Sequence, residues 1–312
     1  MEEKLRELEA QRLVILAEQK KYNKRAIPFF VIGAIGFLLG IAFPDTGALF
    51  MVIGFVLIII GAIVASIGYK HIAQFNQMFK SNLITSLLKA NYDNVTYEPK
   101  GHIPLDVFLK TGLTRKPDRW RGEDFISGEK NGVKFQVSEF HLEDRHVRRD
   151  SKGNTYVTYE TFFKGRFFMF EFKRIFKHDL RISEKGLLNI SFNNFGLKKI
   201  ETESIAFNKK FSVLTGDDQH AFYIITPVML EEIQRIERLF KGTIALLFQG
   251  NRLYVAINDN KNTLEPNIKV PLTGQSLDYY LVDILIMQEM IHAFDLDGSK
   301  FMEIHEWVIS VI

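Results

Sequence analysis

The sequence contains two apolar runs, AIPFFVIGAIGFLLGIAF (residues 26–43) and GALFMVIGFVLIIIGAIVASIGY (residues 47–69). Asp45, in the break between them, is the only charged side chain from Ala26 to Tyr69. A helix that rises about 1.5 Å per residue needs roughly 20 residues to cross the apolar core of a bilayer. The stretch therefore predicts a transmembrane hairpin, with its turn at Phe43-Pro44-Asp45-Thr46.

Two other interpretations of these runs fit less well. The core helices of soluble proteins rarely hold more than about a dozen uninterrupted apolar residues. A cleaved signal peptide is also disfavoured, because the apolar part is too long and a second apolar run follows at once. We therefore expect both runs to stay in the membrane.

Glycines recur along both runs, at seven-residue intervals on the second and as a GxxxG pair on the first. Lipid supplies little hydrophobic force between helices, so close backbone approach along small residues provides the attraction. We predict that these glycines pack the two helices together, or serve dimerisation. The predicted helix-packing residues are Gly33, Gly36, Gly40, Gly47, Gly54, Gly61 and Gly68.

Positive charge flanks the hairpin on one side only. The cations are Lys20, Lys21, Lys24, Arg25 and Lys70, with His71 beside the last. The turn carries no positive charge, so the positive-inside rule places both termini in the cytoplasm. We therefore expect a cytosolic location for the large domain that follows.

Helices are predicted on either side of the hairpin. Residues 1–25 lack Gly and Pro and have apolar residues at helical spacing, which predicts a cytosolic amphipathic helix. Residues 70–91 predict a juxtamembrane helix that extends the second span. The N-terminal helix is a candidate for a short coiled coil, with itself or with the juxtamembrane helix, or for a merely solvated helix.

Residues 92–312 predict a cytosolic α+β domain of antiparallel sheet with flanking helices, with two subdomains split near residue 200 as an option. Short turns separate consecutive strand-like segments, which indicates antiparallel strands. The predicted strands are 124–128, 133–148, 155–163, 166–172, 178–183, 187–192, 211–214, 220–225, 243–249 and 252–258, the last two forming a hairpin about Gly250-Asn251. Helices are predicted from Thr226-Pro227 to Lys241 and over 276–294. The 28 phenylalanines predict an aromatic core in the sheet.

Composition excludes several kinds of site. The chain has no cysteine, which rules out disulfides and thiolate metal sites, and its net charge of +3 does not suggest a nucleic-acid binder. His141 and His146 are five residues apart on a predicted strand, so we do not expect them to share a metal with Glu143. No phosphate-loop, GxSxG or HExxH motif occurs. We expect no catalytic, cofactor-binding or metal-binding residues, although an unfamiliar enzyme site is not excluded.

One group of surface residues is a candidate contact for lipid headgroups or a partner: Arg115, Lys116, Arg119, Trp120 and Arg121. A second basic group at a predicted hairpin tip contains Arg145, His146, Arg148 and Arg149. Held near a cytoplasmic leaflet, such groups attract anionic lipids. Acids stand close to the first group, so we favour an ordinary solvated loop there.

Four ordered motifs carry a family resemblance. They are Gly122–Gly128 (GEDFISG), Phe162–Phe168 (FFKGRFF), Ala206–Val213 (AFNKKFSV) and Asp218–Pro227 (DQHAFYIITP). Together with the two-span anchor they resemble a bacterial family catalogued as a domain of unknown function (thirty-one thirty-seven), over roughly residues 75–258. The resemblance implies a bacterial two-pass inner-membrane protein, often associated with LemA-type membrane proteins. It implies no activity, ligand or catalytic residue.

These observations favour a membrane-anchored, non-enzymatic module that binds a protein partner or assembles with itself. One alternative is a membrane-bound hydrolase or transferase with an unrecognised site. Another is a sensor of anionic lipid that resembles bacterial pleckstrin-like domains, an alternative that rests on fold analogy alone.

Overall fold

The computed structural model describes residues 2–43, 47–185 and 196–301. Its helices are α1 (Glu2–Ala42), α2 (Gly47–Phe79), α3 (Thr85–Asn91), α4 (Leu105–Lys110), α5 (Ile205–Lys210), α6 (Asp218–Ile224), α7 (Pro227–Leu239) and α8 (Gly274–Ala293). A π-helical turn, Lys80–Ile84, joins α2 to α3. Pro44, Asp45 and Thr46 of the predicted turn, the predicted strand 187–192 and the last eleven residues lie outside the described residues.

The chain forms two compact units. The first, called the helix-pair unit, contains Met1–Ser86 and Leu264–Leu281. The second, called the sheet unit, contains Leu87–Thr263 and Val282–Ile312.

Two long antiparallel helices form most of the helix-pair unit. α1 is continuous from the charged N-terminal segment through the first apolar run, and α2 continues past the second run to Phe79. Gly40 lies beside Gly47, and Gly33 lies beside Gly54. At the other end, Glu18 lies 3.5 Å from His71. The N-terminal segment of α1 therefore lies along the part of α2 that follows the second apolar run.

Seven strands form one antiparallel sheet in the described part of the sheet unit. They are β1 (Asp93–Glu98), β2 (Arg119–Lys130), β3 (Val133–Arg149), β4 (Thr155–Glu184), β5 (Lys198–Ile200), β6 (Phe211–Thr215) and β7 (Thr243–Asn258). The predicted α+β class with an antiparallel sheet is confirmed. The sheet includes strands on both sides of residue 200, because β6 and β7 both pair with β4.

The central strand β4 is longer than predicted. Three separate strands were expected between residues 155 and 183, but β4 runs through Lys164-Gly165 without a turn. Its first half pairs with β3 on one edge, its second half pairs with β6 on that edge, and β7 pairs along the other edge. Gly165 permits this pairing, because a Cβ there would lie 2.0 Å from the Ile257 carbonyl oxygen. The glycine marks a close approach of two strands rather than a turn.

The predicted hairpin about Gly250-Asn251 is also wrong. Thr243–Asn258 is a single strand whose two halves pair with successive parts of β4. Gly250 has a φ of +58°, and the pairing register shifts on either side of it. An isolated glycine inside a strand typically accommodates a bulge, and here it does so opposite Phe176.

Residues 220–225 were predicted as a strand but belong to helix α6 and its C-cap. The Asp217 carboxylate accepts a hydrogen bond from the backbone N–H of His220, which starts the helix. The helix predicted from Thr226-Pro227 is present as α7. The Thr226 hydroxyl accepts from the Met229 N–H, and Pro227 occupies the first turn.

Aromatic side chains fill the core of the sheet unit, which confirms the prediction from phenylalanine content. Phe108 of α4 stacks on Phe167 of β4 at 4.1 Å between ring centroids, and Phe140 and Phe163 pack around them. Phe167 and its neighbour Phe168 are both fully buried, although successive side chains on a strand point to opposite faces. Both faces of the sheet are therefore covered at this point.

Candidate functional site

The predicted helix-packing glycines lie along the contact between α1 and α2. A Cβ at Gly54 would lie 2.6 Å from the Gly33 carbonyl oxygen, and one at Gly40 would lie 2.8 Å from that of Gly47. Gly36 also lies against Gly54. A side chain at these positions would push the helices apart, so the glycines permit direct backbone contact. Within one chain, the stripe is occupied by the partner helix.

The two remaining glycines of the stripe face mainly side chains, at longer distances. Gly61 lies against Phe29 and Phe30, and Gly68 lies against Tyr22 and Gln19. The packing therefore widens from the apolar turn toward the charged end of the helix pair.

The outward surface of the helix pair is apolar. In the most apolar 18-residue stretch of each helix, only 17% of the residues of α1 and 11% of those of α2 are buried. Both helices are long and apolar enough to cross a membrane. Leu38, Leu49 and Phe55 are each more than half exposed. A helix from the core of a soluble protein would bury these side chains.

A segment from late in the chain is bound to the charged end of the helix pair. Arg12 is buried and donates to the Ile268 carbonyl at 2.6 Å and to both carboxylate oxygens of Glu9 at 2.7 Å. Glu9 also accepts from the Leu272 N–H at 2.8 Å. The hydrogen bond from Arg12 lowers the pKa of Glu9.

The same segment is held to α2 by a second group of polar contacts. The Lys80 ammonium lies 2.5 Å from the Glu265 carboxylate, and Asn76 donates to that carboxylate at 2.9 Å. Sequence reasoning missed the docking of residues 264–272. The available signal was Arg12, a charged residue that interrupts the helically spaced apolar residues Leu5, Leu8 and Leu16 of α1.

Acidic side chains pair the arginines of the candidate headgroup or partner contact. Arg115 forms a two-pronged pair with Asp144, Arg119 pairs with Glu143, and Arg121 pairs with Glu123. The loop expected here is wrong for Arg119, Trp120 and Arg121, which lie in strand β2 and pair with β3. The arginines of this segment are largely compensated, as expected for an ordinary solvated surface.

The aromatic rings around residues 115–121 are also occupied. The Arg119 guanidinium lies 3.8 Å above the Tyr159 ring, and that of Arg115 lies 3.9 Å above Phe162. Trp120 is 40% exposed and contacts the His102 ring edge to face. Lys116 is exposed.

A buried charge network lies inside the sheet unit. Arg166 of β4 donates to Asp259 and Asp283, each at 2.8 Å, and its guanidinium lies 4.7 Å above the Phe240 ring. All three charged side chains are less than one-tenth exposed. Burial raises the pKa of Asp283, against the opposing effect of Arg166. The motif residue Arg166 therefore ties together three distant parts of the chain.

Glu139 of β3 lines a small polar pocket of about 120 Å³. Burial raises its pKa to about 8, so the carboxyl is protonated at neutral pH. Its Oε1 accepts from both the N–H and the hydroxyl of Thr263. Lys164, Lys261 and His141 also line the pocket. A buried acid with a raised pKa is a feature of many active sites, but Thr263 gives this one a structural partner.

The histidines considered as metal ligands have separate partners. His141 Nε2 is 2.7 Å from the Thr161 hydroxyl, whereas His146 Nε2 is 3.0 Å from Glu160. The structure therefore does not bring His141 and His146 to a common partner.

No curated protein matches the chain. Among solved structures, a similar one is the crystal structure of the mycobacterial trehalose monomycolate transport factor A, TtfA, at 12% sequence identity and a TM-score of 0.38. The similarity covers 70% of this chain and 94% of that one.

A family model matches residues 161–296, which contain most of β4 and everything from β5 to the end of α8. The match includes the motifs Phe162–Phe168, Ala206–Val213 and Asp218–Pro227 and therefore confirms the family resemblance, whereas Gly122–Gly128 and the apolar helices lie outside it. Over residues 161–296 the chain matches the family described as Protein of unknown function (DUF3137).

Proposed function

We propose that this protein is a membrane-anchored, non-enzymatic module of a bacterial inner membrane that binds a protein partner or assembles with itself. The observation that carries the proposal is the apolar, exposed outer surface of a helix pair whose glycines are used for internal contact. Lipid is the environment in which such a surface is stable. The helix pair then serves as an anchor of two transmembrane spans, residues 26–43 and 47–69.

The charged ends of the helix pair support a defined orientation. Lys20, Lys21, Lys24 and Arg25 precede the first span, and Lys70 follows the second. By the positive-inside rule both termini, and with them the sheet unit, lie in the cytoplasm.

The polar groups of the sheet unit support a non-enzymatic role. Arg166 forms ion pairs with two aspartates, and Glu139 accepts a hydrogen bond from Thr263. Arg181 donates to the backbone carbonyls of Thr111 and Gly112. Side chains whose hydrogen bonds and ion pairs are made within the protein stabilise the fold, and they are poorly placed to act on a substrate.

The partner proposal is tested by crosslinking in intact cells, followed by purification in mild detergent and mass spectrometry. We expect a stoichiometric membrane partner or a defined homo-oligomer. A LemA-type protein is the first partner to look for, because the family resemblance implies that association. A lone monomer that captures nothing overturns the proposal.

The orientation is tested separately with single cysteines, which the cysteine-free chain makes unambiguous. In spheroplasts, a membrane-impermeant maleimide should label Thr46→Cys and should label Ser151→Cys only after lysis. The reverse pattern contradicts the orientation without affecting the partner proposal.

A further inference from the structure

The ends of β3 and β4 form a two-stranded arm, residues 145–159, which we call the β-arm. The last residue of β3 that pairs with β2 is Glu143, and β7 pairs with β4 only from Gly165 onward. In the part of the chain that the structure describes, the β-arm therefore has no neighbouring strand on either edge. All of its residues except Asp150 are exposed.

The β-arm is nevertheless a regular structure. Five successive pairs connect its strands, from Arg145↔Tyr159 to Arg149↔Thr155. At its tip, the Asp150 carboxylate accepts from the backbone N–H groups of Lys152 and Asn154 at 2.9 and 2.8 Å. Gly153 has a φ of +86°, which suits a tight turn. An exposed ribbon with an ordered turn indicates a surface for contact.

One face of the β-arm carries both apolar and basic side chains. Arg145, Val147 and Arg149 share one face of the ribbon, because side chains on a strand alternate. Across from Val147 lies Val157, and these two valines are 53% and 43% exposed. Tyr159, opposite Arg145, is 41% exposed, although the Arg119 guanidinium already covers one side of its ring. One face of the β-arm thus presents an apolar strip between two arginines.

The β-arm carries an excess of positive charge, although His146 pairs with Glu160 at its base. Residues 145–159 contain four Lys or Arg and one acid, a net charge of +3. The acid, Asp150, is occupied by the turn and by Asn154 and Tyr156. Within the described residues, the cations Arg145, Arg148, Arg149 and Lys152 form no ion pair. By contrast, Arg115, Arg119 and Arg121, in and just before β2, are each paired with an acid.

We propose that the β-arm is a binding surface for anionic lipid headgroups of the membrane in which the chain is anchored. Arginines bind headgroup phosphates, and valine and tyrosine side chains suit the boundary between headgroups and acyl chains. A second copy of the β-arm is a poor occupant, because it would bring like charges together. The inference rests on the proposed membrane anchoring, which makes a weak lipid site effective by keeping it close to its ligand.

The test uses the full chain with Ser151→Cys, labelled with an environment-sensitive fluorophore and reconstituted in nanodiscs. One set of discs contains phosphatidylcholine alone, and the other contains one third phosphatidylglycerol. We expect acrylamide quenching of the label to fall at least ~3-fold in the anionic discs, and the protection to disappear at high salt.

Variants separate charge from apolar contact. R145Q/R148Q/R149Q should abolish the protection, and V147S/V157S should weaken it. The matched control K209Q/R238Q/K241Q removes the same charge from exposed positions on α5 and around the end of α7 and should leave the protection unchanged.

The outcomes distinguish this inference from the proposed function. Equal quenching in both kinds of disc, with the chain inserted, overturns the lipid site and leaves the anchor intact. Failure of the chain to insert overturns the anchor itself. Protection in native membranes but not in anionic discs indicates an acidic protein partner and also overturns the lipid site.

Discussion

The two units bury opposite kinds of side chain. The helix-pair unit buries glycine along α1 and α2 and leaves Leu38, Leu49 and Phe55 exposed. The sheet unit buries phenylalanine around Phe108 and Phe167. The hydrophobic effect explains the second arrangement, because water drives large apolar groups inward. In the proposed membrane environment, lipid provides no such force, so the first arrangement would depend on close contact between backbones.

Polar groups show the same contrast. In the sheet unit, charge is buried in the Arg166 network and is matched by carboxylates. In the helix-pair unit, the buried charges Arg12 and Lys80 lie outside the apolar runs, and Glu9 pairs with Arg12 whereas Glu265 pairs with Lys80. Charge is thus kept out of the proposed bilayer region, and Arg12, Lys80 and Arg166 are each paired with an acid where they are buried.

The largest effect should come from breaking the buried network of the sheet unit. Asp259→Ala leaves Arg166 with one carboxylate instead of two and should lower the free energy of unfolding by ~3–5 kcal/mol. Urea unfolding in detergent measures this, and hydrogen exchange should rise in β4 and β7. Glu171→Gln, in the half-exposed pair with Arg252, is the matched control and should cost less than ~1 kcal/mol. Equal losses for the two variants would contradict the role of the network.

Crowding the glycine contact should affect the other unit. In Gly54→Leu the new side chain meets the Gly33 carbonyl, so we expect a loss of about 3 kcal/mol, at the upper end for overpacking. Hydrogen exchange should increase in α1 and α2 and not in the sheet. Val56→Leu, at a position 48% exposed, should change little. If Gly54→Leu instead dissociated a dimer without increasing hydrogen exchange in α1 and α2, the glycines would form contacts between copies of the chain.

The Glu139 carboxyl makes the sheet unit sensitive to pH. Its pKa is raised from 4.5 to about 8, so between these values the folded state keeps a proton that the unfolded state has lost. The contribution of this group to the free energy of unfolding is therefore largest below pH 4.5, and it is lost as the pH rises from 4.5 through about 8. From pH 6 to pH 8 the loss should be about 2 kcal/mol. Glu139→Gln should flatten this dependence, and an unchanged slope in that variant would exclude Glu139 as its source.

The smallest effect should come from the cap of α7. Thr226→Ala removes the hydroxyl that accepts the Met229 N–H and should cost ~1 kcal/mol. Thr226→Ser keeps the hydroxyl and should retain most of the stability in thermal unfolding. A loss from Thr226→Ser as large as that from Thr226→Ala would show that the methyl group matters more than the cap.

Part of the candidate site was accessible from sequence because its signals are local. The seven-residue spacing of Gly47, Gly54, Gly61 and Gly68 marks one face of a helix whatever lies opposite. The tip of the β-arm was visible as a turn with basic neighbours. The compensation of Arg119 by Glu143 was not visible, because these residues are 24 positions apart and meet only through strand pairing.

The sequence by itself determined the two membrane-competent helices, the antiparallel α+β class and the start of α7, since each depends on composition or on spacing within a few residues. Only the tertiary structure decided that β4 and β7 are long single strands, that residues 264–272 bind α1 and α2, and that Arg166 joins Asp259 and Asp283. The physical reason is distance along the chain. Pairings between residues tens or hundreds of positions apart depend on which surfaces remain to be covered, and no local pattern encodes that choice.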